Sequence, residues 1–262
     1  MKNVILLVST FLSLVCTASD WGIGVGGISI PHYFGSTEHY QLVGPFPYVS
    51  AGNIQFNSNP KGTVLMWDGE FLLPVSGDSL NSLEPEGYSN ENQIVRSSKN
   101  YARRGMGFLP ASAFMGVKIG YNFGPVSLVY SALPGVQLGQ GWDSAGLIQK
   151  LRLDIFIFEN SSIKEASCLC FYVEALSTDS IFNQLYYGVD SQYVLPGRAE
   201  FDAQISGFLG TKVGFYFVKR LGDFGITIFA EQQNLKSSVV KDSPIISQKT
   251  GLNGAAAIVL FF

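Results

Sequence analysis

Hydrophobic residues occupy every second position in several stretches of the chain, which is the period of a β-strand with two unlike faces. In the segment 151–159, leucines and isoleucines hold the odd positions, and Arg152 and Asp154 lie on the opposite face. The same alternation occurs in the segments 113–123, 168–176, 211–219 and 223–233. These segments therefore predict strands that are apolar on one side and polar on the other.

The pattern predicts ten long strands in total, with twelve as the alternative count. Short turns are expected at 122–125 and 220–223, where Gly-Pro and Gly-Asp pairs follow a strand, and long polar loops at 76–104 and 178–199. Most of the runs are about ten residues long, which suits a tilted membrane-spanning strand better than the usual strand of a soluble sheet. The predicted strands lie near 21–31, 46–56, 62–73, 112–123, 125–137, 149–159, 168–176, 203–219, 223–235 and 251–262.

Composition supports a chain with an apolar surface. Charged residues make up 14% of the sequence and apolar residues 47%, whereas an average soluble domain has about 25% charged residues. Intrinsic disorder is excluded by this composition. The net charge is −3, and the longest basic run is Arg103-Arg104, so we expect no nucleic-acid partner.

The first eighteen residues have the pattern of a secretory signal peptide. Lys2 precedes an apolar run over 4–15, and Cys16 and Ala18 are the small residues expected before a cut after Ala18. Twelve apolar residues are too few to span a bilayer as a helix, which needs about 20. A membrane anchor and a lipoprotein cut before Cys16 are the less favoured alternatives. We therefore expect a signal peptide at 1–18 and a single exported domain at 19–262.

An exported chain with this much apolar surface has two options, a large soluble core or a closed barrel that faces lipid. Strand length and the alternation of short turns with long loops favour a transmembrane antiparallel up-and-down β-barrel in a Gram-negative outer membrane. The final strand ends in Phe262, which suits closure against the first strand and resembles the signal read by the barrel-assembly machinery. A buried strand of a soluble sandwich remains the alternative for this last segment.

No constellation of residues indicates catalysis or a metal site, so we expect neither an enzyme nor a cofactor. Ser36, Glu38 and His39 are the residue types of a hydrolase triad, but their closeness in sequence is weak support because triads assemble in space. Cys168 and Cys170 lie two apart on one strand, too far apart for a disulfide, and are expected as free thiols facing the lumen. No closed zinc spacing is present, and the glycines of 22–27 lack dinucleotide-loop spacing.

Charged and aromatic residues have structural roles in this prediction. The lumen charges are of mixed sign and are expected to pair and fill a narrow barrel rather than line a wide channel; they are Lys118, Arg152, Asp154, Glu174, Lys212 and Glu231. Aromatic residues near the predicted strand ends are expected to form interfacial girdles. They are Trp21, Tyr33, Tyr48, Trp67, Tyr121, Tyr130, Trp142, Tyr186 and Tyr187.

Short motifs along the mature chain resemble the MltA-interacting protein/OmpV family of outer-membrane proteins. Gly22-Ile-Gly-Val-Gly leads into Pro31-His-Tyr-Phe-Gly-Ser36, and the later segments follow in family order. The long loop at 76–104 and the Phe261-Phe262 ending depart from the family pattern. The later segments are Pro45-Phe-Pro47, Arg103-Arg-Gly-Met106, Tyr186-Tyr-Gly-Val189 and Asp242-Ser-Pro-Ile-Ile246.

The resemblance implies a monomeric, non-catalytic scaffold that holds a murein lytic transglycosylase near a peptidoglycan synthase. A narrow pore or a surface adhesin is the alternative function. The partner surface is then expected on the turns 122–125 and 220–223 or on the rim. Lipid and lipopolysaccharide are the other expected contacts, with Arg103-Arg104 as a possible anchor for lipopolysaccharide phosphates.

Overall fold

The computed structural model describes residues 18–51, 61–72, 75–76, 101–103, 106, 108–109, 111–138, 143–160 and 167–261. Strands dominate these residues, together with one α-helix, α1, at Ser180–Tyr187. No helix among them is long and apolar enough to cross a bilayer. The strands are β1 Ala18–Pro31, β2 His39–Ala51, β3 Lys61–Leu72, β4 Val75–Ser76, β5 Phe108–Leu109, β6 Ala111–Phe123, β7 Val126–Leu138, β8 Ser144–Asn160, β9 Ser167–Thr178, β10 Gly207–Leu221, β11 Phe224–Asn234 and β12 Thr250–Phe261.

Ten long strands form one antiparallel sheet in the order β2-β1-β12-β11-β10-β9-β8-β7-β6-β3, and β4 pairs with β5 separately. From β6 to β12 each strand pairs with the next along the chain, and β12 returns to β1 with Gly22 opposite Phe261 and Ser29 opposite Gly254. The predicted closure of the last strand against the first is confirmed. The two edge strands, β2 and β3, are consecutive in the chain.

Helix α1 shows that this sheet is curled into a barrel. Phe182 of the helix packs against Phe114 of β6, with ring centroids 5.7 Å apart. Tyr187 of the same helix donates a hydrogen bond of 2.9 Å to the carbonyl of Phe34, in the loop after β1. Strands β6 and β1 lie near opposite ends of the sheet order, with six strands between them. One short helix therefore reaches both only if the sheet curls around it. The predicted all-β, up-and-down barrel of about ten strands is confirmed.

The two faces of the strands have opposite character, as the alternation predicts. On β8, Leu151 and Ile157 are 49% and 58% exposed on the outer face, whereas Asp154 is buried on the inner face. On β9, Phe171 and Val173 are exposed on the outer face, and Cys170 and Glu174 are buried on the inner face. This arrangement, with apolar side chains outside and polar side chains inside, is the reverse of a soluble protein and is typical of a membrane barrel.

Strand β8 begins at Ser144 rather than near 149, and two further parts of the prediction differ from the structure. Strand β2 begins at His39 rather than near residue 46, because prolines 45 and 47 do not interrupt its pairing with β1. Its register is continuous through Pro45 opposite Val25 and Pro47 opposite Ile23. Proline has no backbone N–H, so its nitrogen is tolerated only where it faces away from the paired neighbour. Both proline nitrogens therefore face the edge of β2 that points away from β1.

The second difference lies in the loop predicted at 178–199, which contains helix α1. Asp179 precedes the helix, and its side chain accepts a hydrogen bond from the backbone of Phe182 at 2.9 Å. Gly188 follows the helix. Strand β10 starts at Gly207 rather than at 203. Ala203 is buried, and its backbone N–H donates a hydrogen bond to the side chain of Gln184 in α1 instead of continuing the strand.

Replacing Phe114 by alanine tests whether the contact between α1 and β6 is part of the core. Phe114 is fully buried, and truncating such a phenylalanine costs about 3–5 kcal/mol in the free energy of unfolding. Met115, its neighbour on β6, is 68% exposed on the outer face, so Met115→Ala is expected to change stability by less than about 0.5 kcal/mol. Urea unfolding in detergent micelles measures both; equal losses would contradict the fold.

Candidate functional site: a capped barrel lumen

The long-loop end of the barrel is covered by a cap, which we define as the loop 32–38, helix α1 and the loop 235–249. Tyr33 donates a hydrogen bond of 2.8 Å to the carbonyl of Ile245, and Ser243 donates one of 2.6 Å to the carbonyl of Tyr187. Hydrogen bonds therefore join the loop 235–249 to the loop 32–38 and to helix α1. Leu235, Val240 and Ile245 are almost completely buried in this contact, so the cap has an apolar core of its own.

The tyrosines of the cap correct part of the predicted aromatic girdle. Tyr33, Tyr186 and Tyr187 are buried to within 3% of completely, so the prediction that they line a membrane interface is wrong. Tyr121 and Tyr130, in contrast, are exposed on the outer face at 42% and 41%. A tyrosine near a strand end suits either a membrane interface or a buried core, because its ring is apolar and its hydroxyl can form a hydrogen bond. The remaining predicted girdle residues, Trp21, Tyr48, Trp67 and Trp142, have side chains outside the described part of the structure.

Arg103 is also part of the covered end rather than of the surface. It is 5% exposed and donates a hydrogen bond of 3.0 Å to the carbonyl of Tyr186. Burial lowers the pKa of its guanidinium, and the neighbouring tyrosines Tyr33 and Tyr186 act against that shift. The alternative role of this residue as a lipopolysaccharide anchor is therefore wrong for Arg103, and Arg104 lies outside the described residues.

The lumen below the cap contains paired charges, as predicted. Arg152 and Asp154 form a salt bridge of 2.7 Å, and the guanidinium of Arg152 lies 3.9 Å from the ring centroid of Tyr172. Lys212 lies between Glu174 and Glu231, 3.8 Å from a carboxylate oxygen of each. The predicted pairing of lumen charges is therefore confirmed for Arg152, Asp154, Glu174, Lys212 and Glu231.

The two predicted lumen cysteines are confirmed as free and buried. Cys168 and Cys170 lie on the inner face of β9, 2% and 0% exposed. The thiol of Cys170 lies 3.5 Å from a carboxylate oxygen of Asp154, to which it donates a weak hydrogen bond. These thiols belong to the polar lumen packing and are shielded from solvent.

The histidine segment does not assemble a hydrolase triad. The hydroxyl of Ser36 donates to the backbone carbonyl of Glu38 at 3.1 Å, whereas Nδ1 of His39 lies 3.2 Å from the hydroxyl of Ser29. His32, not His39, approaches the Glu38 carboxylate, at 3.8 Å. The hydrogen bonds within 36–38 shape a tight turn at the edge of the cap. Among the described residues, no group of three or more His, Cys, Asp or Glu side chains is placed to hold a metal ion.

Titration of His32 provides a pH test of the cap. Burial, followed by the charge of His39, lowers the pKa of His32 from 6.5 to about 4. The unfolded chain therefore takes up a proton at His32 as the pH falls below 6.5, whereas the folded chain takes it up only near pH 4. The free energy of unfolding therefore decreases as the pH falls from 6.5 to 4. We expect the urea midpoint to fall between pH 6.5 and 4 in the wild-type protein and to fall less in His32→Gln. Equal pH dependence in the two proteins would contradict the burial of an uncharged His32.

The opposite end of the barrel carries short turns. Gly124 and Gly222 adopt positive φ angles of 79° and 60° in the β6–β7 and β10–β11 turns, a conformation that glycine adopts without strain. Phe123, Leu221 and Phe224 beside these turns are exposed at 57%, 59% and 60%. The first residue of β1 and the last of β12 lie at this end too, which is the periplasmic end in outer-membrane barrels.

The chain forms a ten-stranded antiparallel meander with an apolar outer face and a polar lumen, and it has short turns at one end and long loops at the other. These features define the class of transmembrane β-barrels of the outer-membrane type. Within that class, the chain belongs to the family described as MltA-interacting protein MipA, whose model matches residues 23–262. The match covers most of the chain and confirms the family resemblance. No curated protein matches the chain.

Proposed function

We propose that this protein is a non-catalytic outer-membrane scaffold that binds a murein lytic transglycosylase and holds it near a peptidoglycan synthase. The observation that carries the proposal is the family match over residues 23–262, because the family is described by its interaction with MltA. In this proposal the signal peptide at 1–18 is cleaved during export, the barrel-assembly machinery inserts the chain, and the protein acts as a monomer. Residues 1–17 lie outside the described residues.

The capped mouth and the filled lumen support a scaffold over a pore. A pore needs an open path along the barrel axis, whereas here Tyr33, Tyr186 and Tyr187 of the cap are buried. Tyr33 and Tyr187 each donate a hydrogen bond to a backbone carbonyl of another cap segment. Below them, Lys212 lies between two glutamates. A barrel with an occluded interior acts through its surfaces, as a scaffold requires.

The short-turn end is the surface that we assign to the murein enzyme. A partner in the periplasm reaches only this end of an outer-membrane barrel. Arg220 donates a hydrogen bond of 2.9 Å to the carbonyl of Gly222, which holds the 220–223 turn in one shape, while Asp223 and Pro125 are exposed at the turn tips. Rigid, exposed turns limit the entropy lost on binding.

Substitution of the turns tests this assignment. Replacing 122–125 and 220–223 together by Asn-Gly hairpin turns is expected to weaken binding of a purified lytic transglycosylase at least about tenfold, a loss of roughly 1.4 kcal/mol in binding free energy. Surface plasmon resonance on the detergent-solubilised barrel measures the affinity. The matched control replaces Pro196 and Gly197, at the exposed tip of a long loop on the other end, and should bind normally.

Three outcomes would count against the proposal. Full affinity in the turn variant, with the gel shift of a folded barrel retained, would remove the turns as the partner surface. Equal losses in the turn variant and in the Pro196/Gly197 control would point to a general defect of the barrel. Absence of binding by the wild-type protein to any lytic transglycosylase of the same bacterium would overturn the scaffold function itself.

A further inference from the structure

Three lysines lie on the loop 235–249, which forms part of the cap. Lys236, Lys241 and Lys249 are exposed, and Asp242 is the only acidic residue of this loop. The loop therefore has a net positive charge. Because the long loops of outer-membrane barrels face the outside of the cell, this charge lies on the outer side of the membrane.

Lys236 projects from the outer wall of the barrel, just beyond the apolar band. Buried and exposed side chains alternate without a break over 231–236. The exposed ones are Gln232, Asn234 and Lys236, and they continue the face of β11 on which Ile228 is exposed to lipid. The outer face of β11 thus changes from apolar to polar toward the long-loop end. A lysine in this position lies among the lipid headgroups of the outer leaflet.

Hydrogen bonds fix the backbone at two of these lysines. The N–H of Lys236 donates to the side-chain oxygen of Asn234 at 2.9 Å, and the N–H of Lys241 donates to the carbonyl of Ser238 at 3.3 Å. Val240, next to Lys241, is fully buried in the cap. Binding of a ligand therefore has to order the lysine side chains but not their backbone, which lowers its entropy cost.

The third lysine lies beside the first and is partly neutralised. The carbonyl of Lys249 accepts a hydrogen bond of 2.7 Å from the N–H of Leu235, which precedes Lys236. The ammonium of Lys249 lies 3.5 Å from a carboxylate oxygen of Asp242. Both side chains of this ion pair are exposed, so water and salt weaken it, and an added anion competes with Asp242 for the lysine.

Positive charge is specific to this loop. The segment 188–206, which leads from α1 to β10, carries the exposed acidic residues Asp190, Glu200 and Asp202. Its one basic residue, Arg198, is 6% exposed and donates hydrogen bonds to backbone carbonyls. An anion at this end of the barrel is therefore attracted by the loop 235–249 and repelled by the segment 188–206.

The position and the sign of this charge indicate the class of ligand. Lysine binds phosphate as a point charge, and clusters of lysines beside a membrane-spanning segment attract anionic lipid headgroups. Lipopolysaccharide, the lipid of the outer leaflet, carries phosphate groups on the sugars of its lipid A headgroup. These phosphates lie just above the apolar band of the membrane, where Lys236 leaves the barrel wall.

We propose that the loop 235–249 binds the phosphate groups of lipopolysaccharide, with Lys236 and Lys241 as the main contacts. Asp242 limits the contribution of Lys249. This surface takes the place of Arg103, which is buried under the cap. The proposal rests on the position of the barrel in the outer membrane and not on the scaffold role, which we assign to the turns at the opposite end.

Titration of the full-length protein with purified lipid A in neutral detergent micelles tests the site. Microscale thermophoresis is expected to show that diphosphoryl lipid A binds about tenfold more tightly than monophosphoryl lipid A, because a second phosphate meets a second lysine. The difference is expected to shrink as salt is added. Equal affinities for the two lipids at low salt would overturn phosphate recognition. Displacement of lipid A by inorganic phosphate at constant ionic strength would assign the site to free phosphate and would also overturn the proposal.

Lysine variants locate the site on the barrel. Lys236→Gln is expected to lower the affinity for diphosphoryl lipid A about fivefold, and the double variant Lys236→Gln/Lys241→Gln about twentyfold. The matched control is Lys219→Gln, which removes the same charge from an exposed position of β10 near the short-turn end and should bind normally. Equal losses in Lys236→Gln and Lys219→Gln would show that only the net charge of the protein matters.

Asp242→Asn tests the site with a change of opposite sign. It removes the carboxylate that lies 3.5 Å from Lys249, and we expect the affinity for diphosphoryl lipid A to rise about threefold. A gain of affinity cannot result from a damaged loop, so this variant separates charge from folding. Unchanged or lower affinity in a variant that keeps the heat-dependent gel shift of a folded barrel would contradict the proposal.

Discussion

The contact of helix α1 with both ends of the sheet is the interaction on which the rest of the structure depends. Phe182 packs on Phe114 of β6, and Tyr187 binds the backbone of Phe34 after β1. These two regions lie near opposite ends of the sheet order, so the same eight-residue helix holds the curled sheet together from inside and covers its mouth.

The polar lumen is explained by the position of each strand, which has lipid on one side and the barrel interior on the other. Side chains on the outer face of each strand meet lipid, and the polar residues between them are forced inside, where water is scarce. Charges in such a place are stable only when paired, and Arg152 with Asp154 and Lys212 with Glu231 meet this requirement. The cap, with its apolar core, covers the long-loop end of the barrel.

The period-two alternation was enough to predict the ten long strands and the inner and outer faces of β6, β8 and β9, because a strand of this class has one lipid face and one polar face along its whole length. It failed for the cap. Tyr33, Tyr186 and Tyr187 belong to a small apolar core formed by two loops and one helix of eight residues. Loops have no hydrophobic period, and a helix this short shows little of one. Asp179 before the helix and Gly188 after it were the signals available for α1. The predicted start of β2, near residue 46, is too late, because the strand pairs with β1 from His39 onward and through both Pro45 and Pro47.

Single-channel recording on the purified protein in a planar bilayer tests most directly whether the barrel is closed. We expect the wild-type protein, shown to be folded by its gel shift, to insert without producing stable conductance steps, because the cap covers the mouth of the barrel and paired charges lie in its lumen. Reproducible open-channel steps from the folded wild-type protein would contradict it, and would favour a pore over a scaffold for this member of the MipA family.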